Sequence, residues 1–264
     1  MGHQSKAVPP LRAIRDALIV QAAQAPLLHS DDTPMRVLAL MAERAECEAA
    51  GVKPVAKAIN TSGIVAVLQD PSAHKQHKVV LLFTGHAHAG KNMERVLAHR
   101  AQDLAPAMQM CDALAANCVG AFKTVLANCL AHGRRQVADV AEQFDKRLVE
   151  ANSGLGKALN YLIGHWAALT LFLRAAGAPL DNNLCEQAFK RAIIHRKGSL
   201  FYKTVHGADV GDIYMSLIHT CRLCDVNPFD YLNALQQHAQ AVIGAPARWL
   251  PWNFRGQLAL QPVG

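Results

Sequence analysis

Apolar residues recur at helical spacing from Pro9 to Ala23, and Pro26 ends that run, which predicts an amphipathic helix. The next stretch, LLHSDDTPMRVLAL, reads as strand-like through Arg36 to Leu40, interrupted by two carboxylates, Asp31 and Asp32. AERAECEAAGVKPVAK is too charged for a core element and reads as a solvated loop or short helix. Thr61–Leu68 and Lys78–Thr84 are rich in β-branched and apolar residues on either side of the turn-like QDPSAHKQH, the pattern of a hairpin. A helix over Asn92–Gln102 follows, then a short strand in AMQMCDALAAN with Asp112 at its end, and another strand within Phe122–Leu130. A polar helix through Val149 comes next.

From Gly154 to Ala176 the pattern is helical, with Leu159, Leu162, Ile163, Trp166, Leu169 and Leu173 as its apolar stripe. The stretch from Leu180 to Leu235 begins LDNNLCEQAFKRAIIHRKGSLFY. Leu184, Cys185, Ala188, Phe189, Ala192 and Ile193 form one wide helical face there, and Glu186 falls roughly 20° past its edge. Taken alone, Asn183-x-x-Glu186 fits a capping box and Glu186–Lys190 an i,i+4 pair. A helix over Ile213–Cys224 and another capped at Asn227 follow, and Leu250-Pro251-Trp252-Asn253 reads as a packing anchor. Strands first, helices later, with few strands in all, predicts a mixed α/β chain around a small central sheet.

Composition narrows the picture only modestly. The 264 residues are 51% hydrophobic, enough to bury a core. No apolar run reaches the length of a bilayer span, and no secretory cleavage pattern follows Arg12, Arg15 and Asp16, so the expected compartment is the cytoplasm. Lys and Arg number 27 against 20 Asp and Glu, a net charge of +7 that is consistent with a polyanionic partner. Seven Cys, an odd count, argue for reduced thiols. The only CxxC, Cys221–Cys224, lies in an apolar helix and reads as packing rather than as a metal site. His86 and His88 in GHAHAG alternate as a metal pair would, but read as a solvated loop, and the GK[ST] ending of a phosphate-binding loop is missing.

Three carboxylates stand at element ends in this basic chain: Asp31 or Asp32, Asp112 and Glu186. Hard cations need oxygen ligands, and two of them about 3.5–4 Å apart can act on a phosphodiester. Spacing alone is weak ground for such a site, because 20 acidic residues offer many triples.

The longer motifs LHSDDTPMRVL, TSGIVA, LLFTGHAHAGKN, QMCDALAAN, NCLAHGRRQ, LDNNLCEQAFKRAIIHRKGSLFY, GADVGDIYMSLIHTCRLCDVNPFDYL and LPWN occur in one order over roughly residues 10 to 255. In this the chain resembles the transposases of the insertion sequence 66 family, whose catalytic domain is of the ribonuclease-H-like DDE type. The resemblance implies an α/β fold with a ribonuclease-H-like mixed sheet flanked by helices and a helical insertion before the last catalytic helix. The expected division is an N-terminal helix (1–26), the first part of the core (27–147), the insertion (148–179), the last part of the core (180–235) and a C-terminal tail (236–264).

The same resemblance implies metal-dependent DNA strand cleavage and strand transfer. Asp31, Asp112 and Glu186 would be the catalytic, metal-binding carboxylates, with Asp32 as the alternative to Asp31. Two Mg²⁺ or Mn²⁺ ions would be the cofactors. Arg134, Arg135, Lys190, Arg191, Arg196 and Lys197 are the phosphate-contact candidates, although each taken singly reads first as a solvated charge. Cys129 and His132 match a Cys-x-x-His signature beside the site, with core packing as the reading of Cys129, and Asn182 and Asn183 complete the Asp-Asn-Asn-x-x-Glu pattern. The implied partners are transposon ends and target DNA, further copies of the chain on that DNA, and accessory proteins of the same element, with no membrane and a nucleoid-associated location when bound.

Two departures stand out. Gln187 occupies a position where the family usually has Arg, and Lys91 replaces the Glu of its HAGEN run. Family members also carry an N-terminal region with a helical DNA-binding segment and a cysteine cluster, and this chain starts just before the catalytic part. A truncated, non-catalytic DNA-binding or assembly remnant is therefore the alternative. A ribonuclease-H-like nuclease without strand transfer is a third.

Overall fold

A computed structural model describes residues 3–53, 58–70, 75–141 and 153–260. Its centre is a five-stranded sheet in the order β3-β2-β1-β4-β5. Strands β1 (Leu27–Pro34), β2 (Asn60–Asp70) and β3 (Lys75–Gly85) form an antiparallel meander, and β4 (Met108–Cys111) and β5 (Val125–Asn128) add parallel to β1. Helices cover the sheet: α1 (His3–Ala23), α2 (Leu38–Ala49), α3 (Ala89–Leu97), α4 (Leu130–Ala141), α5 (Gly154–Leu169), α6 (Asn183–Ser199), α7 (Val205–Leu223), α8 (Pro228–Gln237), α9 (Ala239–Gly244) and α10 (Phe254–Leu260). This is a ribonuclease-H-like arrangement, a mixed sheet flanked by helices.

Two of the expected boundaries move. β1 does not run on to Leu40. It stops at Pro34, which has no N–H to give a ladder, and α2 starts at Leu38, four residues later. α3 starts three residues before Asn92, because the Ala89 N–H finds an acceptor in Asp32, 57 residues away in sequence.

The main core forms where Leu11, Ile14, Leu18 and Ala22 of α1 meet Ile64, Val79 and Leu81 of the sheet and Ile213, Leu217 and Cys221 of α7. The 236–264 segment contributes to the same core through Val242, Trp249, Leu250 and Phe254. Tyr231 ties α8 to it by donating to the Trp249 carbonyl at 2.6 Å. Trp252, in the anchor motif, stacks on His77 with ring centroids 4.7 Å apart. Cys221 and Cys224 are buried in this packing, as the apolar pattern around them predicts.

Among the described residues, the outer edge of β3 is closed by side chains rather than by another strand. Val80, Leu82 and Thr84 donate their N–H groups to Thr220, Ser216 and Asp212 of α7, at 3.0, 2.9 and 2.5 Å, and Cys224 donates its thiol to the Lys78 carbonyl at 3.6 Å. The fit is metric: four helical residues rise about 6 Å and two strand residues about 6.6 Å. A row spaced by four on the helix therefore keeps step with a row spaced by two on the strand. An open edge would invite pairing with another chain.

α5 departs from its expected stripe. Leu169 is buried, but Ile163, Trp166 and Leu173 are 73%, 61% and 70% exposed. Lys157, Asn160, Tyr161 and His165 gather on one side of the helix, and the apolar remainder is too wide for its period to say which part of it α4 covers. That face is the one carrying Leu162 and Leu169, whose methyls come within 3.5 Å of where a Cβ on Gly133 would stand.

Candidate catalytic carboxylate site

Asp31 and Asp32 are consecutive in β1, so the pleat sends them to opposite faces of the sheet. Asp32 is fully engaged. Its Oδ1 accepts from Ser62 Oγ at 2.6 Å, and its Oδ2 contacts His88 Nδ1 at 2.8 Å and the Ala89 N–H at 3.1 Å. Asn92 supports the same network by donating to Ser62 Oγ at 2.8 Å. His88 is thereby an oriented partner of Asp32, while His86 Nδ1 lies 3.4 Å from the Ala58 carbonyl. The two histidines of GHAHAG thus have separate partners.

Asp31 faces the other way, toward α6. Burial pushes its carboxyl up to about 6, the Asp112 carboxylate adds to that, and the Asp32 N–H and the nearby His132 oppose it. β1 and β4 run in parallel with His29 opposite Met110, so Asp31 and Asp112 stand level, two residues further on. Asp112 Oδ1 is taken by the Leu114 N–H at 3.1 Å and by Asn117 Nδ2 at 2.8 Å. Among the described residues no hydrogen bond is made to its other oxygen.

Glu186 reaches this patch from the first turn of α6, and a single buried residue sets where that helix begins. Asn182 is completely buried; its Nδ2 donates to the Ser30 carbonyl at 3.0 Å and its Oδ1 lies 3.0 Å from His29 Nδ1. Its N–H points to Cys129 Sγ at 3.3 Å. One side chain thus ties α6 to β1 between His29 and Asp31, and its backbone ties it to the end of β5. Burial lowers the pKa of His29, against the pull of Asn182. Further along, Phe189 lies over Gly63, the β2 residue opposite Asp31, and Cys185 donates to the Gly63 carbonyl at 3.6 Å.

The capping box does not form. Asp181 takes the Asn183 N–H at 3.0 Å and its side-chain amide at 2.7 Å, so that donor is no longer open to Glu186. Glu186 turns instead to His132, with Oε1 3.8 Å from Nε2. His132 is raised above its ordinary range by the Cys129 thiol first, against its burial, with help from Glu186 and Asp31. Burial resists ionisation of Cys129, but the His132 side chain and the backbone N–H groups of His132 and Asn182 bring its thiol below the usual range.

Among the described residues, Cys129, His132 and Glu186 form a group whose ligand atoms all lie within 4.8 Å of one another. Asp31 and Asp112 flank that group without closing on it as tightly. The donor chemistry fits a divalent cation on this patch: oxygen ligands on three elements, with Asp31 raised partly by a neighbouring carboxylate that a cation would neutralise.

Arg134 and Arg135 are exposed on α4 and Lys190 on α6. The side chains of Arg191, Arg196 and Lys197 lie outside the described residues. Sequence reasoning passed over His29, Ser62 and Tyr161. Tyr161 of α5 lies close enough to Asp112 for that carboxylate, after burial, to raise its phenol. Its place between Asn160 and Leu162, on the side of α5 that carries Lys157 and His165, gave no sign of this.

No solved structure matches the chain. It is 28% identical over 127 residues to "Uncharacterized protein y4jD" of Sinorhizobium fredii, a match covering 45% of this chain and 25% of that protein. Over 125 residues it is 31% identical to "Uncharacterized protein y4qI" of the same organism, covering 45% and 23%. The matched part thus spans about a quarter of the length of these curated relatives. Among the described residues no helix is long and apolar enough to cross a membrane. The family described as "Transposase IS66 family" matches residues 3–150 and 142–210, most of the chain and every element of the carboxylate patch, and the protein belongs to that family.

Proposed function

We propose that this chain is the catalytic part of a DDE transposase, cleaving DNA at element ends and transferring the freed strand to target DNA. One observation carries the reading: Asp31 is half-buried on the α6 face of β1, close enough to Asp112 and His132 for both to move its carboxyl, while Asp32 is tied off on the other face. Asp31, Asp112 and Glu186 would hold the metal, and Asp32 positions the start of α3. Divalent cations there, two Mg²⁺ or Mn²⁺ ions, would supply charge neutralisation for chemistry at phosphorus. The family membership supports divalent-metal use and DNA as substrate.

The chain's own residues supply placement. Asn182 fixes the height of α6 against β1 and so aims Glu186. His132 places its imidazole 3.8 Å from the Glu186 carboxylate, and the Cys129 thiol, with Glu186 and Asp31, favours its protonated form. Arg134, Arg135, Lys190, Arg191, Arg196 and Lys197 hold the phosphates, and copies of the chain assemble on the DNA. The division into a core (27–147 and 180–235) with a helical insertion (148–179) belongs to the same reading, Tyr161 of the insertion being near Asp112.

The test is cleavage of a labelled element end by purified protein, with and without divalent metal, wild type beside Asp112→Ala and Glu186→Ala. Metal-dependent nicking and joined products, lost in both variants, are expected. Nicking that survives either substitution sinks the assignment. Salt-sensitive DNA binding without metal-dependent cleavage points to an assembly remnant, and nicking without joined products to a plain nuclease.

A further inference from the structure

Cys129 and His132 sit beside the acidic patch but have no part in an all-oxygen metal site. We infer that Cys129, His132 and Glu186 form a second, distinct site for one thiophilic divalent cation such as Zn²⁺, which shares Glu186 with the catalytic patch. The inference rests on the proposed function only for the consequence of that sharing; the binding itself follows from the three side chains.

The donor set is one sulfur, one imidazole nitrogen and one carboxylate oxygen. Zinc takes this mixed set, with bonds of about 2.3 Å to sulfur and about 2.0–2.2 Å to nitrogen and oxygen, whereas magnesium demands oxygen. Tetrahedral bonds of that length put ligand atoms about 3.4–3.8 Å apart. His132 Nε2 and Glu186 Oε1 are already 3.8 Å apart, and no separation within the trio exceeds 4.8 Å. Closure asks for roughly an ångström of movement, and Glu186, with 32% of its side chain exposed, has room to supply it.

The framework holds the other two ligands. Cys129 is buried where β5 runs into α4, and its sulfur already faces the Asn182 N–H at 3.3 Å. The Gly133 N–H donates to the Cys129 carbonyl at 3.2 Å, so His132 projects from the first turn of a helix that starts at the cysteine itself. With three protein ligands, the fourth position stays open for water, as in catalytic zinc sites. Binding forms a sulfur–metal bond and releases the Cys129 proton to solvent. It also draws Glu186 toward Cys129 and His132 and away from Asp31 and Asp112. Zinc should then inhibit a reaction that magnesium supports.

Cobalt(II) is the probe, because a thiolate ligand gives it an intense near-ultraviolet absorption band. The full chain, reduced and freed of metal, is titrated with Co²⁺ and then with Zn²⁺. A thiolate–cobalt band that saturates at one equivalent and is displaced by zinc is expected. Cys129→Ser should abolish the band, and His132→Gln and Glu186→Gln should each weaken Zn²⁺ binding by about tenfold or more. His132 and Glu186 are partly exposed, so those variants test the site even where Cys129→Ser fails to fold. A wild type with no band, a band that persists in Cys129→Ser, or zinc affinity unchanged in both other variants would overturn the inference. In the cleavage assay, Zn²⁺ added over excess Mg²⁺ should inhibit wild type in proportion to band occupancy, and full occupancy without inhibition overturns the sharing of Glu186. A wild type that cleaves nothing with Mg²⁺ counts against the proposed function, while the absorption titration still decides this site.

Discussion

The Phe189 ring of α6 fills the space a side chain on Gly63 would need: a Cβ there would lie 2.6 Å from its Cζ. Gly63 is the residue opposite Asp31 in the β1–β2 ladder, so the ring sets how closely the Glu186 helix approaches the first aspartate. Gly63→Ala should push α6 outward, costing about 1–3 kcal/mol of stability and lowering cleavage by more than that loss explains. Denaturant midpoints and cleavage rates should both recover in part when Phe189→Leu is added. A double variant no better than Gly63→Ala alone would show that the contact does not set the spacing.

Asp31 and Asp32 should separate cleanly. Asp31→Asn is expected to remove cleavage and leave the melting temperature at or above wild type, since it removes a half-buried charge that Asp112 already opposes. Asp32→Asn should lower stability by about 1–3 kcal/mol by disturbing the Ser62, His88 and Ala89 contacts. The reverse pattern in parallel melts and assays would exchange the two roles.

Asp212 gives the protein a pH dependence away from the candidate site. Burial raises its carboxyl to about 6, against the Thr84 hydrogen bonds. Below the unfolded value near 4 both states are protonated and the group costs nothing. As pH rises from there through about 6, the unfolded chain ionises more readily than the folded one. Stability should therefore fall across that window, by on the order of 3 kcal/mol. Asp31 titrates in the same range, so the informative quantity is wild type minus Asp212→Asn, measured by urea unfolding at several pH values. A flat difference would refute the assignment to Asp212.

Ser216→Ala leaves the Leu82 N–H without its acceptor inside the core, an expected loss of about 1–3 kcal/mol. With Thr220→Val added, two neighbouring positions of the β3 edge lose their partners, and size-exclusion chromatography should show association that wild type lacks.

Arg134→Ala and Arg135→Ala should weaken binding to element-end and unrelated DNA alike. Each should reduce the slope of log affinity against log salt by about 1 where the side chain meets a phosphate. An unchanged slope would mark that arginine as a solvated charge.

Much of this was written plainly in the chain. The hairpin of β2 and β3 follows from β-branched runs around a turn, and Asp112 at the end of β4 from a four-residue strand, MQMC. The course after Pro34, the facing of α5 and the role of Asn182 were not. Each depends on what a distant segment offers: Tyr202 donates its N–H to the Arg36 carbonyl just ahead of α2, α4 covers one part of a wide apolar face, and Ser30 accepts from an asparagine 152 residues on. Local pattern says that a residue can cap a helix. It does not say that the same side chain will dock that helix on a strand.

The pairing of α7 with β3 also limits how this protein can change over time. Sliding the helix by one residue would turn the row Asp212, Ser216, Thr220 and Cys224 about 100° away from the strand. Sliding the strand by one residue would present the N–H groups that already bond to β2. The two elements thus have a single mutual setting, and a one-residue insertion or deletion inside either should be rejected, while the turns that lead into them can lengthen freely. In a mobile lineage that accumulates such events, 78–84 and 212–224 should keep their lengths where the rest of the chain drifts.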